Sequence, residues 1–126
     1  MNFPENLKYT KDHEWILVSG DTGTVGITEY AQGELGDVVF VELAVVGKAL
    51  KQHESFGTIE AVKAVSDIYA PVSGSIIEVN KDLASTPEIV NKDPYGKGWM
   101  VKIKLSKSAE VGGLLEANAY KTLTGK

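Results

Sequence analysis

Apolar and polar residues alternate in short stretches along this 126-residue chain, and the dominant period is two, as in strands with one buried face. "HEWILV" (13–18) and "TVGIT" (24–28) form the first pair, and the turn-rich "SGDTG" between them predicts a β-hairpin. In "TEYAQGELG" (28–36) the alternation stops. Thr28 suits an N-cap and Gly33 or Gly36 a stop, which predicts a helix of one or two turns. Alternation resumes in "DVVFVEL" (37–43), with Val39, Val41 and Leu43 expected on one face and Val38, Phe40 and Glu42 on the other. "SFGTIEAV" (55–62), "AVSDIYAPV" (64–72) and "GSIIEVN" (74–80) continue the series. "STPEIVN" (85–91) has helix-start chemistry: Ser85 and Glu88 match a capping box, and Pro87 suits the first turn. "GWMVKIKL" (98–105) predicts a strand with Trp99, Val101, Ile103 and Leu105 inward and Met100, Lys102 and Lys104 outward. In the tail, Leu115, Ala119 and Leu123 make a helical stripe expected to pack on the sheet.

So many short strands indicate a sandwich or flattened barrel rather than a parallel α/β sheet. The length suits one compact domain spanning 1–126. One internal echo hints at two similar halves: "GDVVFVE" (36–42) and "GSIIEVN" (74–80) share a glycine, a small polar residue, two β-branched residues, any residue, and valine.

Composition narrows the function. A net charge of −4 gives little attraction to phosphate backbones, which argues against nucleic-acid binding. There is no cysteine, so cysteine-ligated zinc, disulfides and redox chemistry by the chain's own thiols are excluded. No apolar run reaches transmembrane length and the first residues do not form a secretory signal, so a cytoplasmic protein, or the mature form of an organelle protein, is expected. The two histidines, His13 and His53, stand far apart and read as ordinary surface or partly packed residues. Neither a nucleophile elbow nor a P-loop is present, and self-contained catalysis is not expected.

The segment "GTIEAVKAVSDIYAPVSGSI" (57–76) contains one cation, Lys63, between two strand-like runs. With Val62 and Lys63 as turn residues, Ala61 faces Ala64 and Glu60 faces Val65. Lys63 then projects beyond the sheet above two small alanines, as a modifying enzyme or a tethered carrier requires.

These residues resemble the lipoyl-attachment segment of the H-protein family of the glycine cleavage system. "LKYTKDHEW", "VGITEYAQGELGDVVFVEL", "STPEIVNKDPYGKGWMVKIKL" and "LLEANAY" resemble further family segments in the family's order, from about Leu7 to Tyr120. A biotin carrier would usually place methionine on both sides of the lysine, where this chain has Val62 and Ala64. Two departures stand out. Ala44-Val45-Val46-Gly47 occupies the place of a common Pro-Glu-Val-Gly, and Gln52-His53 the place of a common glycine turn.

The resemblance implies a mainly β barrel-sandwich hybrid of two small antiparallel sheets. Short helices would lie near 28–34 and 85–91, the lipoyl hairpin at about 55–72 and a C-terminal helical segment at about 108–123. It implies lipoate on Lys63, whose dithiolane would supply the thiols the chain lacks. The function implied is a non-enzymatic carrier taking an aminomethyl group from a pyridoxal-phosphate glycine decarboxylase to an aminomethyltransferase. Electrons would go to a dihydrolipoyl dehydrogenase, and a lipoate ligase or lipoyltransferase would load the lysine. The alternative is a lipoyl relay or a carrier for another lipoate-dependent pathway. No nucleic acid or membrane partner is implied, and a monomer is expected. Family precedent sets the loaded arm near Glu14 and Asp67, two carboxylates suited to hold an ammonium group, though either also fits an ordinary surface acid. Glu60 and Gly74 match the positions read by the lipoylating enzyme. Glu60 would equally suit a sheet face, and Gly74 a turn after Pro71.

Overall fold

The computed structural model describes residues 1–126. Two antiparallel sheets face each other. The larger has six strands in the order β1 (Lys8–Tyr9), β2 (Glu14–Ser19), β3 (Thr22–Ile27), β9 (Val101–Leu105), β8 (Gly74–Val79) and β5 (Ala49–Leu50). The smaller has three, in the order β4 (Val38–Leu43), β6 (Ser55–Ala61) and β7 (Val65–Tyr69). Their inner faces share one core, with Ile16, Val25, Ile76, Val101 and Ile103 from the large sheet and Val41, Ile59 and Ile68 from the small one. Burial of these branched side chains, at about 1.5–3 kcal/mol each, is what holds the sheets together. The mainly β class with short helices and a C-terminal helix is as expected.

Helix α1 (Glu29–Leu35) connects β3 to β4 and so passes from one sheet to the other. Thr28 caps it, accepting from the Ala31 N–H at 3.1 Å. Gly33 lies inside the helix and Gly36 ends it, with φ 82° and ψ −162°.

The strand faces differ from simple alternation where a bulge intervenes. In β4 the register slips between Val38 and Phe40, so Val38 and Val41 are buried while Val39 and Phe40 are both exposed. The expected grouping of Val39 with Val41 on one face and of Val38 with Phe40 on the other is therefore corrected. The same slip occurs between Ile76 and Glu78 in β8, at the equivalent position of the internal echo. There, too, the first β-branched residue is buried and the second exposed.

Three other expectations are corrected. Met100 is fully buried, because β9 begins only at Val101 and the preceding residue packs into the core. No capping box forms at Ser85: its hydroxyl donates to the Asp82 carbonyl and closes a separate short helix, α2 (Asp82–Ser85). The turn α3 (Ile89–Lys92) starts after Glu88 without a side-chain cap. In the C-terminal region a 3-10 segment (Ser108–Gly113) precedes α4 (Ala117–Thr124), whose buried residues are Ala117 and Tyr120. Ala119 is exposed and Leu123 nearly half exposed. The contact surface for α4 is aromatic, since Tyr9 stacks on Tyr120 with centroids 4.7 Å apart, and it selects a face one position round.

Both departures from the family pattern have local answers. The 44–47 loop turns at Gly47 (φ 94°) and is pinned to β8 by the Gly47 N–H donating to the Ile76 carbonyl at 2.8 Å. Val45 and Val46 are exposed at its tip. His53 takes a left-handed conformation, φ 72°, that a glycine would adopt without strain.

Candidate functional site

The β6–β7 hairpin closes as its sequence suggests. Glu60 pairs with Val65, the Ala61 N–H donates to the Ala64 carbonyl at 2.9 Å, and Val62 and Lys63 form the exposed tip. The tip does not stand free. The Lys63 N–H donates to the Leu35 carbonyl at 3.1 Å and the Val62 N–H to the Asp37 carbonyl at 3.0 Å. Both acceptors flank Gly36 at the end of α1. The lysine stem lies over that glycine, and a β-carbon there would come within 3.3 Å of Lys63 Cγ.

Asn91 of α3 braces this platform. Its Oδ1 accepts from the Val38 N–H at 2.8 Å, and its Nδ2 donates to the Gly36 carbonyl and to Gln32 Oε1, each at 2.9 Å. The sequence reading missed this residue because an asparagine near a helix end looks like ordinary punctuation.

Beside the tip runs a cleft of about 230 Å³ between α1, β7 and the start of β2. Leu35 belongs both to the lysine platform and to the cleft wall. Ile27, Ala31, Ile59 and Ile68 give the cleft apolar surface, while Asp12, Glu14, Glu34 and Asp67 give it four carboxyl groups. No lysine or arginine lines it. Of the residues picked out from sequence, Glu14 and Asp67 are thus brought together in one cleft. Tyr30 and Glu34 were missed, although their spacing with Ala31 and Leu35 defines one face of a short helix.

The two named acids sit differently. Glu14 is buried; Oε1 accepts from the Thr10 hydroxyl at 2.6 Å and Oε2 from the Tyr69 N–H at 3.3 Å. Burial pushes its carboxyl up to about 8, only partly offset by those hydrogen bonds. Asp67 is exposed, its Oδ1 accepting from the Thr58 hydroxyl at 3.3 Å. His13 also lines the cleft and is half-buried, with burial holding it below the usual histidine range. A partly packed histidine was expected, but not one in the cleft wall.

Glu60 is exposed on the small sheet three residues before the lysine, opposite Phe40. Gly74 lies apart from it, buried in the large sheet between Leu50 and Leu105. A side chain on Gly74 would overlap the Lys104 carbonyl, so the backbone approach alone demands glycine.

The family model described as glycine cleavage H-protein matches residues 7–126. The chain belongs to that family. It is 61% identical over 127 residues to the glycine cleavage system H protein of Chlorobium luteolum, covering 99% of each. It is 56% identical to that of Staphylococcus carnosus over the full length of both. Its structure superposes on the crystal structure of a glycine cleavage system H protein from Mycobacterium marinum with a TM-score of 0.90. Those two are 42% identical, with 98% of this chain and 99% of that one covered. The chain is therefore a lipoyl carrier of the glycine cleavage system, a non-catalytic subunit. Membership of that system implies its P, T and L proteins as partners. No helix is long and apolar enough to cross a membrane.

Proposed function

We propose that Lys63 carries lipoate as an amide on Nζ and that the acidic cleft receives the end of the arm. The observation that carries this reading is the docking of the hairpin tip on α1. Two backbone hydrogen bonds fix the lysine at the end of α1, whose Leu35 also lines the cleft. A lipoyl-lysine extends about ten bonds beyond Cα, so at roughly 1.2–1.3 Å of advance per bond it reaches about 12–14 Å. The cleft has room for about eight waters at ~30 Å³ each, enough for the outer part of such an arm. When bound, the lipoyl group supplies the disulfide that accepts the aminomethyl cargo and afterwards the electrons passed on.

The chain's own residues then have defined work. An arm ending in an amine is held best as the ammonium form, since a protonated nitrogen has no lone pair with which to expel its neighbour. Asp67 at the open side and Glu14 at the buried side would hold that ammonium between them. Glu14 gives up its own proton readily once a cation replaces it. Ile27, Ile59 and Ile68 exclude water around it.

Glu60 and Gly74 are proposed as recognition points for the lipoate ligase or lipoyltransferase, Glu60 through its exposed carboxylate and Gly74 by keeping β8 in place. The pyridoxal-phosphate decarboxylase, the aminomethyltransferase and the dihydrolipoyl dehydrogenase would each meet this one domain in turn. The carrier acts as a cytoplasmic monomer, a state its net charge of −4 favours, and meets these enzymes transiently. Intact-mass spectrometry of the protein from its native host, with fragmentation, tests the attachment. One lipoyl increment on Lys63 is expected. An unmodified Lys63 in cells whose other lipoyl proteins are loaded would overturn it.

A further inference from the structure

One phenol ties the cleft wall to the C-terminal helix. Tyr120 of α4 is completely buried, and its hydroxyl lies 2.9 Å from His13 Nδ1 and 2.7 Å from Thr28 Oγ1. Thr28 is also completely buried. Its oxygen already accepts the Ala31 N–H as the cap of α1. His13 is held by its backbone as well: its carbonyl accepts from the Thr28 N–H at 3.0 Å, and its φ is 73°. A left-handed, non-glycine residue in a cleft wall stores strain of about 1–3 kcal/mol, and such residues cluster at functional sites.

The protons in this chain can be assigned by counting. The threonine hydroxyl and the phenol each have one to donate. If Tyr120 donates to Thr28, the buried threonine proton has no remaining acceptor, a desolvation cost of about 1–3 kcal/mol. If Thr28 donates to Tyr120 and Tyr120 donates to His13 Nδ1, every proton is used. Nδ1 is then an acceptor, and the imidazole is neutral with its proton on Nε2. That second nitrogen has no protein partner and, since no buried polar atom of the chain is unpartnered, it is open to solvent.

We propose that Tyr120 is a positioning residue for the arm cleft: through the Thr28–Tyr120 relay it holds His13 as the neutral Nε2–H tautomer. The consequence is electrostatic. Asp12 of its own loop, Glu14 at the start of β2 and Glu34 on α1 line the cleft with His13, and Asp67 stands across it on β7. Tyr30 lies against the ring with centroids 4.9 Å apart. Asp12 and Glu34 would ordinarily favour imidazolium, which would pair with such acids and fill the seat of a cationic arm. Protonation would require Nδ1 to donate, which reverses the relay and strands the threonine proton. The relay therefore keeps the cleft's negative charge free for an incoming ammonium. Its purpose rests on the cleft being the arm's seat, but the tautomer is a property of the unmodified chain.

The test uses the unmodified full chain, labelled with nitrogen-15, and records both histidine ring nitrogens as pH is varied. In the native chain His13 should carry its proton on Nε2 across the neutral range. In Tyr120→Phe, His13 should bind a second proton at least about threefold more tightly and show a mixture of tautomers, while Thr28→Ser, which keeps the hydroxyl, should match the native chain. A native His13 protonated on Nδ1 would overturn the assignment by itself, whether or not Tyr120→Phe folds. A Tyr120→Phe variant that titrates like the native chain would overturn it too. Neither result bears on whether Lys63 is lipoylated, which the mass measurement decides separately.

Discussion

Gly33 lies inside α1 and Gly36, three residues on, ends it, and the same substitution should have opposite effects at the two. Gly36 has φ 82° and ψ −162°, a region that only glycine occupies without strain. An alanine there costs about 1–3 kcal/mol in backbone energy. It also places a β-carbon 3.3 Å from Lys63 Cγ and 3.4 Å from Cδ, so the lysine stem must shift. Relief by backbone rotation is blocked, because the Gly36 carbonyl is bonded to Asn91 and its N–H to the Gln32 carbonyl. Any rotation would also turn away the neighbouring carbonyls of Leu35 and Asp37, which hold the tip. Gly33, by contrast, is an exposed helical position with open space around it. Alanine there should stabilise by about 0.5–1 kcal/mol through helix propensity. Urea melts of the two variants should therefore differ by roughly 1.5–4 kcal/mol. A loss of 2 kcal/mol at Gly36 corresponds to a fall in Tm of roughly 6–10 °C for a domain of this size. Hydrogen exchange adds the local readout: the Val62 and Lys63 amides should lose protection in Gly36→Ala and keep it in Gly33→Ala. Equal stabilities, or unchanged protection at the tip in Gly36→Ala, would refute the platform described here.

Other outcomes follow from single residues. The folded-state pKa of Glu14 lies above its unfolded value, about 8 against 4.5. The native state therefore binds the extra proton, and stability should fall as pH rises from about 5 to 8; in Glu14→Gln, melting curves across that window should be flatter. His53→Gly removes a left-handed histidine (φ 72°) and should stabilise by a few tenths to about 1 kcal/mol, read by urea unfolding. Glu60→Gln should slow lipoate transfer to Lys63 in a mass-resolved time course while leaving Tm within about a degree, because the residue is exposed. Loss of cooperative melting in that variant would instead assign Glu60 to the fold.

Much of this was legible from spacing alone. The hairpin register at Glu60 and Val65, the Thr28 cap and the Gly36 stop follow from local chemistry, and local chemistry decides them. What escaped depends on contacts distant in sequence. The bulges that expose Val39 and Ile77 arise from strand pairing, and nothing in the alternation of either strand marks them. Met100 is buried because the core reaches one residue past the end of β9. The stripe of α4 was misplaced because aliphatic residues were counted as the buried face, whereas its neighbours Tyr9 and Phe3 select the aromatic Tyr120. At the site, Lys63 stood out as the lone cation of its hairpin, whereas Glu14 and Asp67 came from resemblance, and the cleft brings those two together. Asn91 and Tyr120 had no comparable local mark, since each acts across more than 50 residues of chain, and Tyr30 meets His13 only once α1 is in place.

On the proposed reading, the acids of the cleft shelter a cationic amine at the end of the arm on Lys63. Its most direct test is the lifetime of the amine-loaded, lipoylated protein at fixed pH, followed by mass, in the native chain and in Glu14→Gln, Asp67→Asn and the double variant. Each single variant should lose its amine several-fold faster, and the double variant faster still. Lifetimes equal to that of the native chain in all three, with lipoylation and folding intact, would mean that these carboxyl groups do not shelter the amine.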